Sequence, residues 1–152
     1  MKMKKRLISI AMAAVMAVGS IPAAGALLDG FNNTRTYSDQ FTDVPSTAWY
    51  YNSVKSAYEL GITAGTSASK FSPDQNLTTD QLTVFLARIH AAYHHNEIVE
   101  VQNPSSWADK YYYYVEQYID SSYRDSIFGG RDHEQRWHFA YWISKALPDS
   151  AY

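Results

Sequence analysis

The sequence predicts an all-α protein, a helical bundle of two helix-loop-helix repeats behind a cleaved signal peptide. Two observations carry this expectation. Leu82, Phe85, Leu86 and Ile89 stand at i, i+3, i+4 and i+7, a single apolar stripe of helical period. Phe139, Trp142, Ile143 and Ala146 repeat that spacing 57 residues later (139 − 82), Phe128 follows Phe71 by 57 (128 − 71), and Trp107 follows Trp49 by 58 (107 − 49). Landmarks that agree within one residue mark an internal repeat, and such a unit buries its stripe only by packing on a neighbour.

The chain opens with four basic residues in Met1 to Arg6 and an uncharged apolar run from Leu7 to Val18. Pro22 and the small residues Ala24-Gly25-Ala26 follow, the pattern of a signal peptide cleaved after Ala26. The apolar run is shorter than the roughly 20 residues a membrane-spanning helix needs. A lipid-anchored alternative would require a cysteine, and there is none. The 152-residue chain less these 26 leaves 126, enough for one modest core. Residues 27–40 are polar and without apolar periodicity, and they read as a flexible leader.

The first repeat is expected over residues 41–95. Phe41-Thr42-Asp43-Val44-Pro45 reads as an extended stretch stopped by proline, with Ser46 and Thr47 as candidate helix caps. A helix over 48–60 would carry Trp49, Val54, Ala57 and Tyr58, end at a left-handed Gly61, and let Ile62 pack back on it. Gly65 and Pro73 punctuate a loop plugged by Phe71. A second helix over 78–94 has a complete start signal, a Thr78–Gln81 capping box with Leu77 and Leu82 as a hydrophobic staple.

The second repeat, 104–148, follows the same plan with helices over 106–120 and 132–147. Pro104-Ser105-Ser106-Trp107 echoes the first opening, and Asp132 with Gln135 would form the second capping box. On the third helix the run Tyr111-Tyr112-Tyr113-Tyr114 points around the whole circumference. Tyr111 and Tyr112 are placed on the core side with Trp107 and Val115, leaving Tyr113 and Tyr114 outside, where they could stack on a saccharide or bury in an interface.

Composition narrows the function. A formal net charge of −2 argues against nucleic acid and against a purely electrostatic membrane patch. Without cysteine an exported fold cannot be stapled by disulfides. The thirteen tyrosines and four tryptophans offer flat apolar faces with a polar edge, suited to interfaces and to sugar rings as well as to a core. No Gly-x-Ser-x-Gly elbow, glycine-rich phosphate loop or recognisable carboxylate pair points to an enzyme. His90 and His94 are four apart, spacing that can chelate zinc, but no His-Glu-x-x-His accompanies them, and His90 reads as a solvated cation at a helix C-terminus. Neither a metal nor a cofactor is expected.

Phe41-Thr42-Asp43-Val44-Pro45, Trp49, Glu59-Leu60-Gly61-Ile62-Thr63-Ala64-Gly65, Phe71-Ser72-Pro73-Asp74 and Leu77-Thr78-Thr79-Asp80-Gln81 together resemble one full S-layer homology (SLH) repeat. The resemblance runs from Phe41 to His90 and continues in degenerate form from Pro104 to Leu147. It implies helical repeats that usually combine in threes, with grooves that bind secondary cell-wall polymers, in many species through a pyruvylated sugar. It also implies that the arginine of a Thr-Arg-Ala-Glu motif pairs with that carboxylate beside helix N-terminal amides. Here the position is Thr79, followed by Asp80, in the first repeat, whereas the second repeat restores the cation as Arg136. The second repeat lacks a Phe-x-Asp-Val opening and a glycine matching Gly61, and there is no third repeat. The polysaccharide-binding candidates are Arg136, Trp137, Thr79, Asp43, Trp49 and Gly65. The function expected from the resemblance is noncovalent attachment to the wall of a bacterium, a Gram-positive one, by a secreted non-enzymatic protein. Another SLH chain would complete a three-repeat assembly. The alternative is an interaction module that keeps the scaffold without binding sugar.

Overall fold

Residues 30–127 and 136–147 are described by a computed structural model, with residues 136–138 described in backbone only. They form five helices, α1 (Tyr51–Glu59), α2 (Thr79–His94), α3 (Asp109–Tyr118), α4 (Tyr123–Ile127) and α5 (Arg136–Ala146). Among the described residues there is no strand, and one isolated bridge pairs Ser67 with Lys70. The fold is all-α, as the sequence predicts. The chain divides into two compact units between Asn76 and Leu77.

Among its described residues the first unit has one helix, α1, held by aromatic loop residues. Tyr37, Phe41, Val44 and Val54 form its buried cluster, with Tyr50, Tyr51, Tyr58 and Phe71 packed against it. The rings of Tyr37, Phe41 and Tyr58 meet one another at centroid separations of 5.6 to 5.8 Å. The expected flexible leader is corrected here. Within residues 30–40 Tyr37 is buried, and the backbone N–H groups of Thr34 and Arg35 donate to the carbonyl of Glu59 at 2.8 and 3.3 Å. The segment straps the end of α1, because one buried aromatic ring and two bonds to one orphan helix carbonyl outweigh its polar composition.

Helix α1 begins three residues later than expected, and neither Ser46 nor Thr47 caps it. Its N-cap is Tyr50, with no side-chain bond, because residues 45–51 are spent in two tight turns, Ala48 N–H to Pro45 C=O and Tyr51 N–H to Ala48 C=O. Trp49 therefore lies outside the helix and is 59% exposed. The C-terminus is as predicted. Gly61 has φ +76°, its N–H donates to the carbonyl of Tyr58, and the N–H of Ile62 donates to that of Ala57. This pair of bonds is a Schellman motif, with Ile62 buried as its apolar contact.

The second unit is built on α2. Both bonds of the Thr78–Gln81 capping box are present, at 3.0 and 3.3 Å. Leu82, Leu86 and Ile89 are buried as predicted, while Phe85 is half-buried and the stripe widens to Thr83, Ala87, His90 and Ala91. His90 corrects the expectation of a solvated cation, since it lies four residues beyond Leu86 on the buried face. Helix α3 starts at Asp109 rather than 106, so Trp107 precedes it and is 64% exposed. Tyr111, Tyr112, Tyr114 and Val115 are buried and Tyr113 is 49% exposed, which corrects the placement of Tyr114 and Trp107. The short α4 was not foreseen, and it buries Tyr123 and Ile127. On α5 Phe139, Trp142, Ile143 and Ala146 are buried, as the repeat of the α2 pattern requires. Phe128 and the expected Asp132–Gln135 box lie outside the described residues.

Candidate functional site

In the first unit, Asp43 and Gly65 shape one loop. Both oxygens of the Asp43 carboxylate accept backbone bonds, from Phe71 N–H at 2.9 Å and Ser72 N–H at 2.8 Å. Burial alone would raise the Asp43 pKa, but these two donors, with Lys70 nearby, outweigh it and hold the carboxyl below its usual range. The loop is closed further by Thr66 N–H to the Lys70 carbonyl at 2.8 Å, by Thr42 N–H to the Ser69 carbonyl at 3.0 Å and by a 2.6 Å bond between the hydroxyls of Thr66 and Ser72. Gly65 has φ +79°, and a Cβ there would stand 2.5 Å from both the Lys70 carbonyl oxygen and Phe41 Cε1. Only glycine fits that approach.

Trp49 is exposed and meets the ring of Tyr50 edge-on at 5.4 Å. Burial, then the charges of Asp74 and Asp43, raise the Tyr50 pKa. The first unit thus presents an open indole edge-on to a tyrosine, an apolar face of the kind that stacks on a sugar ring. Tyr50 and Asp74 were not among the candidates read from the sequence, although Asp74 belongs to the Phe71-Ser72-Pro73-Asp74 motif.

In the second unit Thr79 is the first residue of α2, and its carbonyl accepts the Thr83 hydroxyl at 2.9 Å. Asp80 beside it accepts the hydroxyl of Tyr112 at 2.8 Å. Burial, with the Asp80 carboxylate adding to it against a lowering effect of Thr83, pushes Tyr112 up to about 12. Where the SLH pattern has a cation, this helix start carries a neutral residue and an acid already bound to a core tyrosine. Arg136 opens α5, but its side chain and that of Trp137 lie outside the described residues.

The other described cations of this unit have partners. Arg124 pairs with Glu116 at 2.9 Å and lies over Tyr112, Lys110 pairs with Glu100, Lys145 pairs with Asp120 at 3.9 Å, and Arg88 donates to the Tyr111 hydroxyl at 3.0 Å. Among the described residues no group of three or more His, Asp or Glu side chains is placed to hold a metal.

Residues 40–81 match the family model of the S-layer homology domain. The resemblance read from the motifs is thereby shown over these residues, which run from the strap through α1 and the loop into the α2 capping box. Among curated proteins, the chain is 37% identical over 68 residues to an endoglucanase of Bacillus sp. (strain KSM-635), covering 45% of this chain and 7% of that one. It is 31% identical over 74 residues to the surface-layer 125 kDa protein of Lysinibacillus sphaericus, covering 47% of this chain and 6% of that one. An amylopullulanase of Thermoanaerobacterium thermosulfurigenes is 34% identical over 55 residues, covering 36% of this chain and 3% of that one. The chain thus spans less than a tenth of the length of these relatives. No solved structure matches it.

Proposed function

We propose that this chain is a non-enzymatic anchoring module of the bacterial cell surface, held to the wall noncovalently by binding secondary cell-wall polysaccharide. The observation that carries the reading is the SLH match over residues 40–81, whose motif residues are each given structural work here: the Asp43 clasp, the Gly61 Schellman turn, the tight approach at Gly65 and the Thr78–Gln81 box. The relatives, variously named as an endoglucanase, a surface-layer protein and an amylopullulanase, match the chain over 55 to 74 residues and under a tenth of their own length, which supports attachment as the common property. The proposed place of action is outside the cell, on the wall of a Gram-positive bacterium, after export by the N-terminal signal.

Arg136 is proposed as the cation for an acidic, pyruvylated sugar, with Trp137, Trp49, Thr79, Asp43 and Gly65 lining or shaping the sites. A second SLH chain is proposed as the partner that brings the assembly to three repeats. One observation favours the alternative, an SLH-like interaction module without sugar binding: Thr79 and Asp80 stand where the first repeat should carry its arginine.

Retention on purified wall decides between the two. Arg136→Ala should abolish most retention with the helical signal intact. Arg136→Lys should rescue it only in part, because an ammonium cannot form the two parallel bonds a guanidinium gives to a carboxylate. Thr79→Arg should strengthen retention. An Arg136→Ala protein that stays fully bound, with no effect of Thr79→Arg, would replace the anchoring reading by the interaction module.

A further inference from the structure

His90 sits on the buried stripe of α2, eight residues after Leu82 and four after Leu86, and is 9% exposed. Its Nδ1 lies 3.0 Å from the hydroxyl of Tyr114 on α3, and the side-chain amide of Asn96 donates to the same hydroxyl at 3.2 Å. Asn96 is itself fixed by its backbone N–H to the Ala91 carbonyl at 2.9 Å. One tyrosine oxygen therefore ties the last turns of α2, the segment after it and α3.

Proton placement makes this joint sensitive to acid. With Asn96 donating to the oxygen, the hydroxyl can give its own proton to Nδ1, which accepts it only as neutral imidazole. An imidazolium carries a proton on both nitrogens and accepts nothing, so the Tyr114 O–H would have to swing away from the ring and lose its acceptor. Nδ1–H could only press on the oxygen as a second donor beside Asn96, with a new buried charge next to His94, which weakens the joint. Among the described residues, the groups in contact with the ring offer no negative charge in return. They are His94 on the same helix, its ring 4.2 Å away, Tyr114 and Tyr118 from α3, and Asn96. Lys145 of α5 and Asp120, after α3, are paired with each other.

We infer that His90, Tyr114 and Asn96 form an acid-released latch between α2 and α3, closed while the imidazole is neutral and opened when it takes a proton. Burial, then the charge of His94, push the His90 pKa down to about 4 from an ordinary 6.5. The unfolded chain thus binds this proton more readily than the folded one. The stabilisation is complete above about pH 6.5 and is lost as the pH falls towards 4. The latch requires no ligand and is independent of the wall-binding reading.

The test combines thermal melts of the protein between pH 7.5 and 5, at constant ionic strength, with an NMR titration of the His90 ring. The wild-type melting temperature should fall by roughly 5–10 °C over this range, and His90→Gln should remove most of that fall. The wild-type ring should stay neutral until about pH 4, a readout that holds even if the variant folds poorly. A His90 ring that titrates near 6.5 in the folded protein, or a His90→Gln variant that keeps the full wild-type fall, would overturn the latch.

Discussion

Both units bury tyrosine, but they treat its hydroxyl differently. In the first, the ring of Tyr37 packs against Phe41, Tyr51 and Tyr58, and its hydroxyl is buried without a hydrogen-bond partner among the described residues. In the second, Tyr111 is bonded by Arg88, Tyr112 by Asp80, Tyr114 by His90 and Asn96, and Tyr123 by Thr83. The first unit uses its buried tyrosine, Tyr37, as a large apolar ring in a small aromatic cluster, while the half-buried Tyr51 gives its hydroxyl to the Asp39 carboxylate. The second uses it as a polar pin between helices, and a pinned helix pair has a defined register where an apolar contact alone tolerates slippage. The same residue type thus contributes volume in one unit and geometry in the other.

Core truncations should give the largest effects and the least contrast. Phe41→Ala and Leu86→Ala, each removing a fully buried side chain, should each cost about 2–5 kcal/mol in urea unfolding. A loss below about 1 kcal/mol for either would mean that its unit is not a packed core.

Removing hydroxyls alone separates the units. Tyr112→Phe, Tyr114→Phe and Tyr123→Phe should each lose about 1–2 kcal/mol, since each takes a bond from a buried or half-buried partner, Asp80, His90 and Thr83 respectively. Tyr37→Phe should cost nothing or stabilise slightly, because it removes a buried polar atom that has no well-formed hydrogen bond among the described residues. Equal losses in all four variants would erase the comparison.

Asp43 gives the first unit its own polar pin, in loop rather than helix. Its lowered pKa means that its stabilisation is present above the ordinary carboxylate value of 3.8 and is lost as the pH falls through the lower folded value. Asp43→Asn should lose about 1–3 kcal/mol at neutral pH and flatten this acid limb. That window lies below the one governed by His90, so a melting series resolves the two. An acid limb below pH 3.8 that Asp43→Asn leaves unchanged would remove the clasp from the account.

The smallest expected effect concerns helix starts. Thr78→Ala removes the α2 cap and should cost about 1 kcal/mol, whereas Ser46→Ala and Thr47→Ala should be nearly silent, because α1 has no side-chain cap. Calorimetry of the three variants checks the order.

These contrasts also mark what was legible in the sequence. The α2 box and the Gly61 turn were readable because each is a local pattern in which neighbouring residues satisfy one another's backbone groups. The phase of α3 was not. Trp107 and Tyr111 are four apart, but Ser105 and Ser106 bond to Asp109, so the helix begins after the tryptophan and the assumed face rotates. The strap at 30–40 was missed because its one buried ring, Tyr37, finds partners at residues 51 and 58 that no short-range pattern reveals. His90 was within reach, since Leu82, Leu86 and His90 follow one another at intervals of four. Of the site, the sequence placed Gly65 in the loop it shapes, but Asp43 reads only as part of an extended opening, because its bonds to Phe71 and Ser72 span 28 and 29 residues and that between Asp80 and Tyr112 spans 32, and none has a local signature.

The central claim, attachment through wall polysaccharide, is tested most directly by sedimenting the protein with purified cell wall that either retains or has been stripped of its secondary polymer. Attachment through the SLH site predicts that most of the protein sediments with intact wall and stays in solution with stripped wall. Equal sedimentation with both, or with neither, would contradict it.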